Sequence, residues 1–161
     1  MPILTRPASL GDVELLVEMM REFYAEANYA LDAGWAATAF STLLKDDSRG
    51  SIWIVSEGDE PVGYGVLTFR FSMEFGGADA FIDDLFVRPG YRRRGAARAV
   101  LAAAFEESRR RGILAVHVET GHENVAAKAL YGKFGLQDRR RLLLTARLTA
   151  RGESLLNDQT A

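Results

Sequence analysis

Hydrophobic positions recur along the chain in two patterns, one typical of helices and one typical of strands. Apolar residues return about every 3.6 residues in four segments, which predicts helices at Val13–Ala27, Trp35–Lys45, Gly95–Arg111 and Asn124–Gly135. Short apolar runs bounded by turn-forming residues predict six strands. These strands are Leu4–Pro7, Ile52–Val55, Val62–Phe71, Ala80–Val87, Leu114–Thr120 and Leu142–Leu148.

The predicted elements follow the order strand, two helices, three strands, helix, strand, helix, strand. This order is typical of an α+β (mixed α/β) domain, in which helices cover both faces of one sheet. The 161 residues fit a single domain, which we expect to span residues 1–150. Residues 151–161 have too little apolar content to pack, so a flexible tail is expected there.

Composition excludes several kinds of site. The chain contains no cysteine and only two histidines, which excludes a disulfide framework, a thiolate metal site and a cysteine nucleophile. No segment approaches the roughly 20 apolar residues of a membrane helix, and the N-terminus lacks a signal-peptide pattern. We therefore expect a cytoplasmic protein that binds neither a metal nor a membrane. Three arginine triplets lack interleaved aromatic residues, so nucleic acid is not an expected partner.

Charge is distributed unevenly along the chain. Residues 1–87 carry a net charge of −10 and residues 88–161 a net charge of +8. One interpretation is that solvated faces differ by chance. The other is that the second half binds an anionic ligand and the first half attracts a cationic one. Seventeen of the 20 basic residues are arginine, whose forked guanidinium suits phosphate oxygens.

One segment combines a strand, a basic turn and a helix N-terminus. The predicted strand Ala80–Val87 runs into a loop with three consecutive arginines and Gly95, and a predicted helix follows. Free backbone N–H groups and the helix dipole favour an anion at such a place. The loop lacks the endings of a Walker motif and of a dinucleotide-binding motif. The sequence therefore predicts a phosphate-binding loop of another kind, with a solvated basic turn as the alternative.

Two motifs in this half resemble the GNAT superfamily of acyl-CoA-dependent N-acetyltransferases. The first is Arg-x-x-Gly-x-Gly/Ala after a strand, matched here by Arg92, Gly95 and Ala97. The second is Asn-x-x-Ala-x-x-Leu-Tyr-x-x-x-Gly, which residues 124–135 match in full. The resemblance covers roughly residues 3–148. It implies a central mixed, mostly antiparallel sheet with helices on both faces and a splayed pair of parallel strands.

The resemblance also implies acetyl-CoA as co-substrate and a layout for it. The pyrophosphate is expected on the backbone of Arg92, Arg93, Arg94, Gly95, Ala96 and Ala97. The pantetheine arm is expected to pair like a strand with Leu85, Phe86 and Val87. Asn124 is expected to hydrogen-bond the arm, and the resemblance assigns Ala127 and Lys133 to the same binding site.

Acetyl transfer from a thioester to an amine needs an acid and a base. A phenol with a pKa of about 10 stays protonated at neutral pH and can donate to the leaving thiolate. Tyr131 fits this role and, by resemblance, lies near the sulfur. It also shares a helix face with Ala127 and Phe134, so a core aromatic residue is the alternative. Direct attack needs no covalent enzyme intermediate, which agrees with the lack of cysteine.

Asp83 and Asp84 form the strongest candidate for the base. Two adjacent carboxylates in an apolar strand are costly to bury unless they are paired or functional. Strand alternation places them on opposite faces, and a bulge would reverse which one faces the acetyl group. The block of residues 82–87 resembles diamine (spermidine/spermine-type) acetyltransferases, which favours Asp83 acting through a water. Glu119 and His117 share a face of the next strand and are reserve candidates.

Acidic and aromatic residues, three from the first half and one from the second, are candidates for the acceptor site. Tyr24 and Glu26 lie on the first predicted helix and Glu74 precedes the acidic strand, while Glu119 lies on the strand beyond it. These side chains suit a small cationic amine through charge and cation–π contacts. The alternatives are a peptide or protein N-acetyltransferase and an acyl-CoA sensor without turnover. A homodimer would fit the resemblance, with the last strand as the pairing element.

Overall fold

A computed structural model describes residues 1–148 of the chain. Five strands and four α-helices form in the order β1, α1, α2, β2, β3, β4, α3, β5, α4. The strands are β1 (Ile3–Pro7), β2 (Gly50–Glu57), β3 (Glu60–Ser72), β4 (Gly77–Val87) and β5 (Val116–Val118). The helices are α1 (Val13–Glu26), α2 (Ala33–Lys45), α3 (Ala96–Arg110) and α4 (Val125–Gly132), and short 3-10 turns precede α1 and α3.

The strands form one sheet in chain order, from β1 at one edge to β5 at the other. The first three pairings are antiparallel. Tight turns join β2 to β3 and β3 to β4, whereas α1 and α2 lie between β1 and β2. The fourth pairing is parallel, because α3 crosses over between β4 and β5. The expected mixed, mostly antiparallel GNAT-like sheet is confirmed.

Helices cover both faces of this sheet. On one face, α1 and α2 pack against β2, β3 and β4 through Leu16, Phe40, Tyr64 and Phe86. On the other face, α3 and α4 bury a cluster that includes Leu67, Ile82 and Leu101. Gly65 permits the close approach of α3, since a Cβ atom there would lie 2.3 Å from Val100 Cγ1. The predicted two-faced architecture therefore has a packed core on each side.

A β-bulge in β4 separates its two aspartates. Val66 of β3 pairs with Asp84, and the next residue, Leu67, pairs with Ile82. Asp83 is the extra residue, so the alternation of faces shifts by one position at this point. The bulge directs the Asp84 side chain to the face covered by α1 and α2, the face that also carries Tyr64 and Phe86.

The expectation of a last strand at Leu142–Leu148 is wrong for the described structure. No strand forms beyond β5 within residues 1–148, and β5 has no neighbour on its outer edge. A strand needs a ladder partner for its backbone N–H and C=O groups, and within the described residues the apolar run has none. Its leucines are exposed; the exposed fractions of Leu142, Leu143, Leu144 and Leu148 are 84%, 63%, 86% and 93%. The predicted tail at 151–161 and the end of the predicted domain at 150 lie outside the described residues.

Within the described residues, the helices are too short or too polar to cross a lipid bilayer.

Candidate active site

The site is built where β4 and β5 part. Their parallel pairing covers three residue pairs and ends at Ile82 and Val118. β4 continues to Val87, while the chain after Val118 leaves the sheet. The edge of β4 from Asp83 to Val87 therefore faces a gap instead of a neighbouring strand. A gap of this kind exposes backbone groups that can pair with an extended ligand.

The loop after β4 ends in an uncapped helix N-terminus. Gly95 precedes α3 with φ = +96°, a left-handed conformation that glycine adopts without strain. The space beside Gly95 is open, because no atom outside its chain neighbours lies within 4 Å of the position that a Cβ would occupy. Backbone N–H groups from Arg93 to Arg98 have no acceptor within residues 1–148. Such donors, together with the helix dipole, favour an anion, and the anion site expected from the sequence stays a prediction.

The arginines of this loop differ in their contacts. Arg92 donates through Nε to the Val87 carbonyl at 2.8 Å and forms an ion pair with Glu26. Arg94 forms an ion pair with Glu57 at 3.0 Å. These contacts fasten the loop to α1 and β2, so both side chains hold the loop in place. The Arg93 side chain, by contrast, makes no ion pair within residues 1–148.

Asp84 is the more buried of the two aspartates. It accepts a hydrogen bond from the Tyr64 hydroxyl at 2.9 Å. Burial raises the pKa of Asp84 to about 6, against the opposing effect of this hydrogen bond. Asp83 is exposed at the bulge, and partial desolvation of its carboxyl also raises its pKa. Burial and the charges of Asp84 and Asp83 raise the pKa of Tyr24 to about 12, so α1 brings this predicted residue to the acidic pair.

Tyr131 and Asn124 lie on α4, beyond the gap. Tyr131 is half-buried against the cluster on the α3 face, and burial raises its pKa. Its hydroxyl has no hydrogen-bond partner within residues 1–148. Asn124 caps α4, accepting from the Ala127 N–H at 3.1 Å. The cap leaves the Asn124 amide NH₂ as a donor. Lys133, just after α4, is exposed.

Many of the unevenly distributed charges form ion pairs between the two halves of the chain. Arg88 binds Glu18, Glu22 and Glu60, joining α1 to the turn between β2 and β3. Two predicted acceptor residues are also engaged, since Glu26 pairs with Arg92 and Glu74 pairs with Arg139 and Arg141. Their roles in binding an acceptor stay predictions, and the charge argument for them is weaker.

Two groups of polar residues were not predicted from the sequence. Tyr64, on the adjacent strand, hydrogen-bonds Asp84. Predicting this contact from the sequence would have required the register of the hairpin formed by β3 and β4. Asp79, fully buried, contacts both Arg70 and His117. Aspartates are common in turns, and Gly76-Gly77 nearby favoured a turn there. No group of three or more potential metal ligands occurs within residues 1–148.

Comparison with known proteins gives consistent matches. The sequence matches the acetyltransferase (GNAT) family over residues 13–136. The uncharacterized N-acetyltransferase YhfO of Bacillus subtilis (strain 168) is 29% identical over 123 residues, which are 76% of this chain and 80% of YhfO. Integron cassette protein HFX_CASS3, from the mobile metagenome of Cole Harbour Salt Marsh, is 41% identical with a TM-score of 0.83, covering 90% of each chain. AAC(6')-Iy, solved with the bisubstrate analogue CoA-S-monomethyl-acetylneamine, has a TM-score of 0.79 at 16% identity, covering 92% of this chain and 100% of that chain.

The raised pKa of Asp84 predicts a pH-dependent stability. A carboxyl with a folded-state pKa of about 6, against 3.8 ordinarily, favours folding below about pH 4 and loses that contribution as pH rises through 6. Asp84→Asn keeps a similar shape and stays neutral. Between about pH 4 and about pH 8, the free energy of unfolding of Asp84→Asn should therefore gain up to about 3 kcal/mol relative to the wild type.

Urea unfolding of both proteins at the two pH values measures this difference. Asp59→Asn, in the exposed turn between β2 and β3, is the matched control and should show no such gain. An equal effect of both substitutions would show that burial of Asp84 does not govern its titration.

Proposed function

Since the chain belongs to the acetyltransferase (GNAT) family, we propose that it transfers an acetyl group from acetyl-CoA to a primary amine by direct attack. The observation that carries this proposal is the continuity between the gap and the uncapped N-terminus of α3. The gap offers the unpaired edge of β4, and the free N–H groups of Arg93–Arg98 follow it along the chain. An extended arm that ends in a pyrophosphate fits this sequence of donors.

The co-substrate is proposed to bind along this path. Its pyrophosphate accepts from backbone N–H groups of the loop, and its arm pairs with Leu85–Val87. The open side of Gly95 gives the phosphates room, and Asn124 can donate from its amide across the gap. The CoA-containing bisubstrate analogue bound in AAC(6')-Iy, a protein of similar fold, supports a CoA derivative as the ligand.

The reacting groups are proposed to be Asp83 and Tyr131. An alkyl ammonium with a pKa near 10 must lose a proton before its nitrogen can attack. Asp83 takes this proton through a water, while Tyr64 and burial hold Asp84 behind it. As the new N–C bond forms and the C–S bond breaks, Tyr131 donates its phenolic proton to the departing thiolate, and the second proton that the nitrogen loses returns to Tyr131 through solvent. Backbone N–H groups of β4 stabilise the oxyanion that develops on the acetyl carbonyl.

We propose a small cationic amine as the acceptor. Asp83 and Glu119 are exposed carboxylates beside the gap that make no ion pair within residues 1–148, and Tyr24 adds an aromatic ring from α1. A peptide or protein amine is the second candidate. The ion pairs of Glu26 and Glu74 reduce the acidic surface available to a long polycation.

An acceptor panel tests the proposed function. Free-thiol release from acetyl-CoA is measured with polyamines, aminoglycosides, amino acids and peptides, alongside acetyl-CoA binding by calorimetry. We expect binding, and turnover with small polycations. Turnover on peptides alone would overturn the proposal of a small cationic acceptor but would still support acetyl transfer. Absence of acetyl-CoA binding would overturn the proposed function itself.

Tyr131→Phe tests the proposed acid. Removing the hydroxyl should lower kcat by roughly 10²-fold or more with little loss of acetyl-CoA affinity, because the thiolate loses its proton donor. Tyr91→Phe removes the same atom from the turn after β4, where Tyr91 packs against a buried cluster that includes Val87 and Ala96. This variant is the matched control and should leave kcat unchanged. Unchanged turnover of Tyr131→Phe would remove this residue as the acid.

Asp83→Asn tests the proposed base. At neutral pH kcat/KM should fall by about 10-fold or more, and activity should recover as pH rises, because the amine then loses its proton to bulk solvent. Asp84→Asn keeps Asp83 in place and should have the smaller effect on this pH dependence. A larger effect of Asp84→Asn would assign the base to the buried aspartate.

The proposed partner of the exposed leucines is a second copy of this chain. Leu142, Leu143 and Leu144 form an exposed apolar run, and β5 has an unpaired edge within the described sheet. Light scattering should give twice the monomer mass of 17.8 kDa. Leu144→Glu should shift the mass toward the monomer, whereas Leu10→Glu, at another exposed leucine, should not. A monomeric wild type would contradict the proposal.

A further inference from the structure

A buried carboxylate connects three strands on the face of the sheet that carries Tyr64 and Asp84. Asp79 of β4 is fully buried, and Arg70 of β3 donates to its two oxygens from Nε and Nη2, both at 2.8 Å. His117 of β5 contacts the same carboxylate through Nε2, also at 2.8 Å. Phe81 lies between these groups, 4.8 Å from the Arg70 guanidinium and 5.1 Å from the imidazole ring.

The contact with Asp79 fixes the tautomer of His117. Hydrogen bonding from Arg70 lowers the pKa of Asp79, so this carboxyl is ionised and can only accept. The proton in the contact with His117 therefore belongs to Nε2. In the neutral ring the lone pair then lies on Nδ1, which has no partner within residues 1–148. The side chain is 24% exposed, so the ring can exchange protons with solvent.

The register places this imidazole beside the gap. His117 pairs with Phe81, and only the pair Ile82–Val118 lies between it and the point where the strands part. Glu119 follows His117 by two residues, just beyond the end of β5. Asp83 borders the gap on β4, and His117 lies one residue pair before the gap on β5.

We propose that His117 is a second proton acceptor for the amine, opposite Asp83 and acting through Nδ1. This inference rests on the proposed function. The N–H bond of the acceptor ammonium breaks, its electron pair stays on nitrogen for attack on the acetyl carbon, and a new N–H bond forms at Nδ1. Asp79 stabilises the imidazolium, and the proton leaves to solvent. Asp79 and Arg70 are positioning residues, because they act through His117.

Other charged groups besides Asp79 lie around His117. Arg70 approaches from β3, and Glu119 follows the end of β5 by one residue. Glu74, in the turn before β4, is paired with Arg139 and Arg141 from the C-terminal segment. The pH dependence of kcat/KM in His117 variants must therefore be compared with that of His122→Ala, which leaves these charged groups unchanged.

The test uses the Asp83→Asn protein, in which the carboxylate route is removed. There, His117→Ala should lower kcat/KM at neutral pH by a further 10- to 100-fold, and added imidazole should restore activity. His122→Ala, which changes the other histidine of the chain, should alter neither activity nor the response to imidazole. In the otherwise unchanged protein, His117→Ala should reduce kcat/KM only a few-fold at most. Equal activity of Asp83→Asn with and without His117 would overturn the proposal.

Nitrogen-15 NMR of the two histidines gives a readout that does not depend on turnover. The neutral ring of His117 in the wild type should carry its proton on Nε2 and none on Nδ1, and Asp79→Asn should lose this tautomer preference. A proton on Nδ1 of the wild-type neutral ring would overturn the proposal whatever the activity. If the wild type binds acetyl-CoA and turns over but the His117 results fail, the proposed function stands without this inference.

Discussion

The brief pairing of β5 with β4 is the constraint on which the rest of the site depends. Only three residue pairs join the two strands, and the sheet then opens beside the bulge at Asp83. A longer ladder would pair the backbone groups at this edge of β4 with β5, and none of them would stay free to bind an extended ligand. The crossover through α3 makes the pairing parallel, so the opening of the sheet and the uncapped end of α3 lie at the same end of β4.

Ion pairs hold this opening in shape. Arg88 and Arg92, at the end of β4, bind carboxylates of α1, and Arg94 binds one in β2. The acidic first half and the basic second half of the sequence therefore neutralise each other in the folded chain. Exposed ion pairs contribute little stability one by one, about 0–1 kcal/mol each. Together they orient a loop whose backbone N–H groups stay free for an anion.

Sequence reasoning succeeded where a local pattern decides the structure. Helical periodicity and strand runs gave the element order through α4, and the motif placed Gly95 directly before α3. It failed where the structure depends on which strands pair and in which register. The run Leu142–Leu148 has strand composition but no ladder partner within residues 1–148, and β5 is shorter than the apolar run that predicts it. The contacts of Tyr64 and Asp79 depend on the register of β3 and β4, which periodicity alone does not supply.

Hydrogen exchange with and without coenzyme A tests the central account most directly, because it reports on the backbone groups themselves and needs no acceptor. The account predicts slowed exchange in two places, at the loop N–H groups of Arg93–Arg98 and along the edge of β4 at Leu85–Val87. The N–H groups of the hairpin turn at Gly58 and Asp59 should be unaffected. Protection confined to other regions, or no protection at saturating coenzyme A, would contradict the proposal that the gap and the helix N-terminus form one binding path.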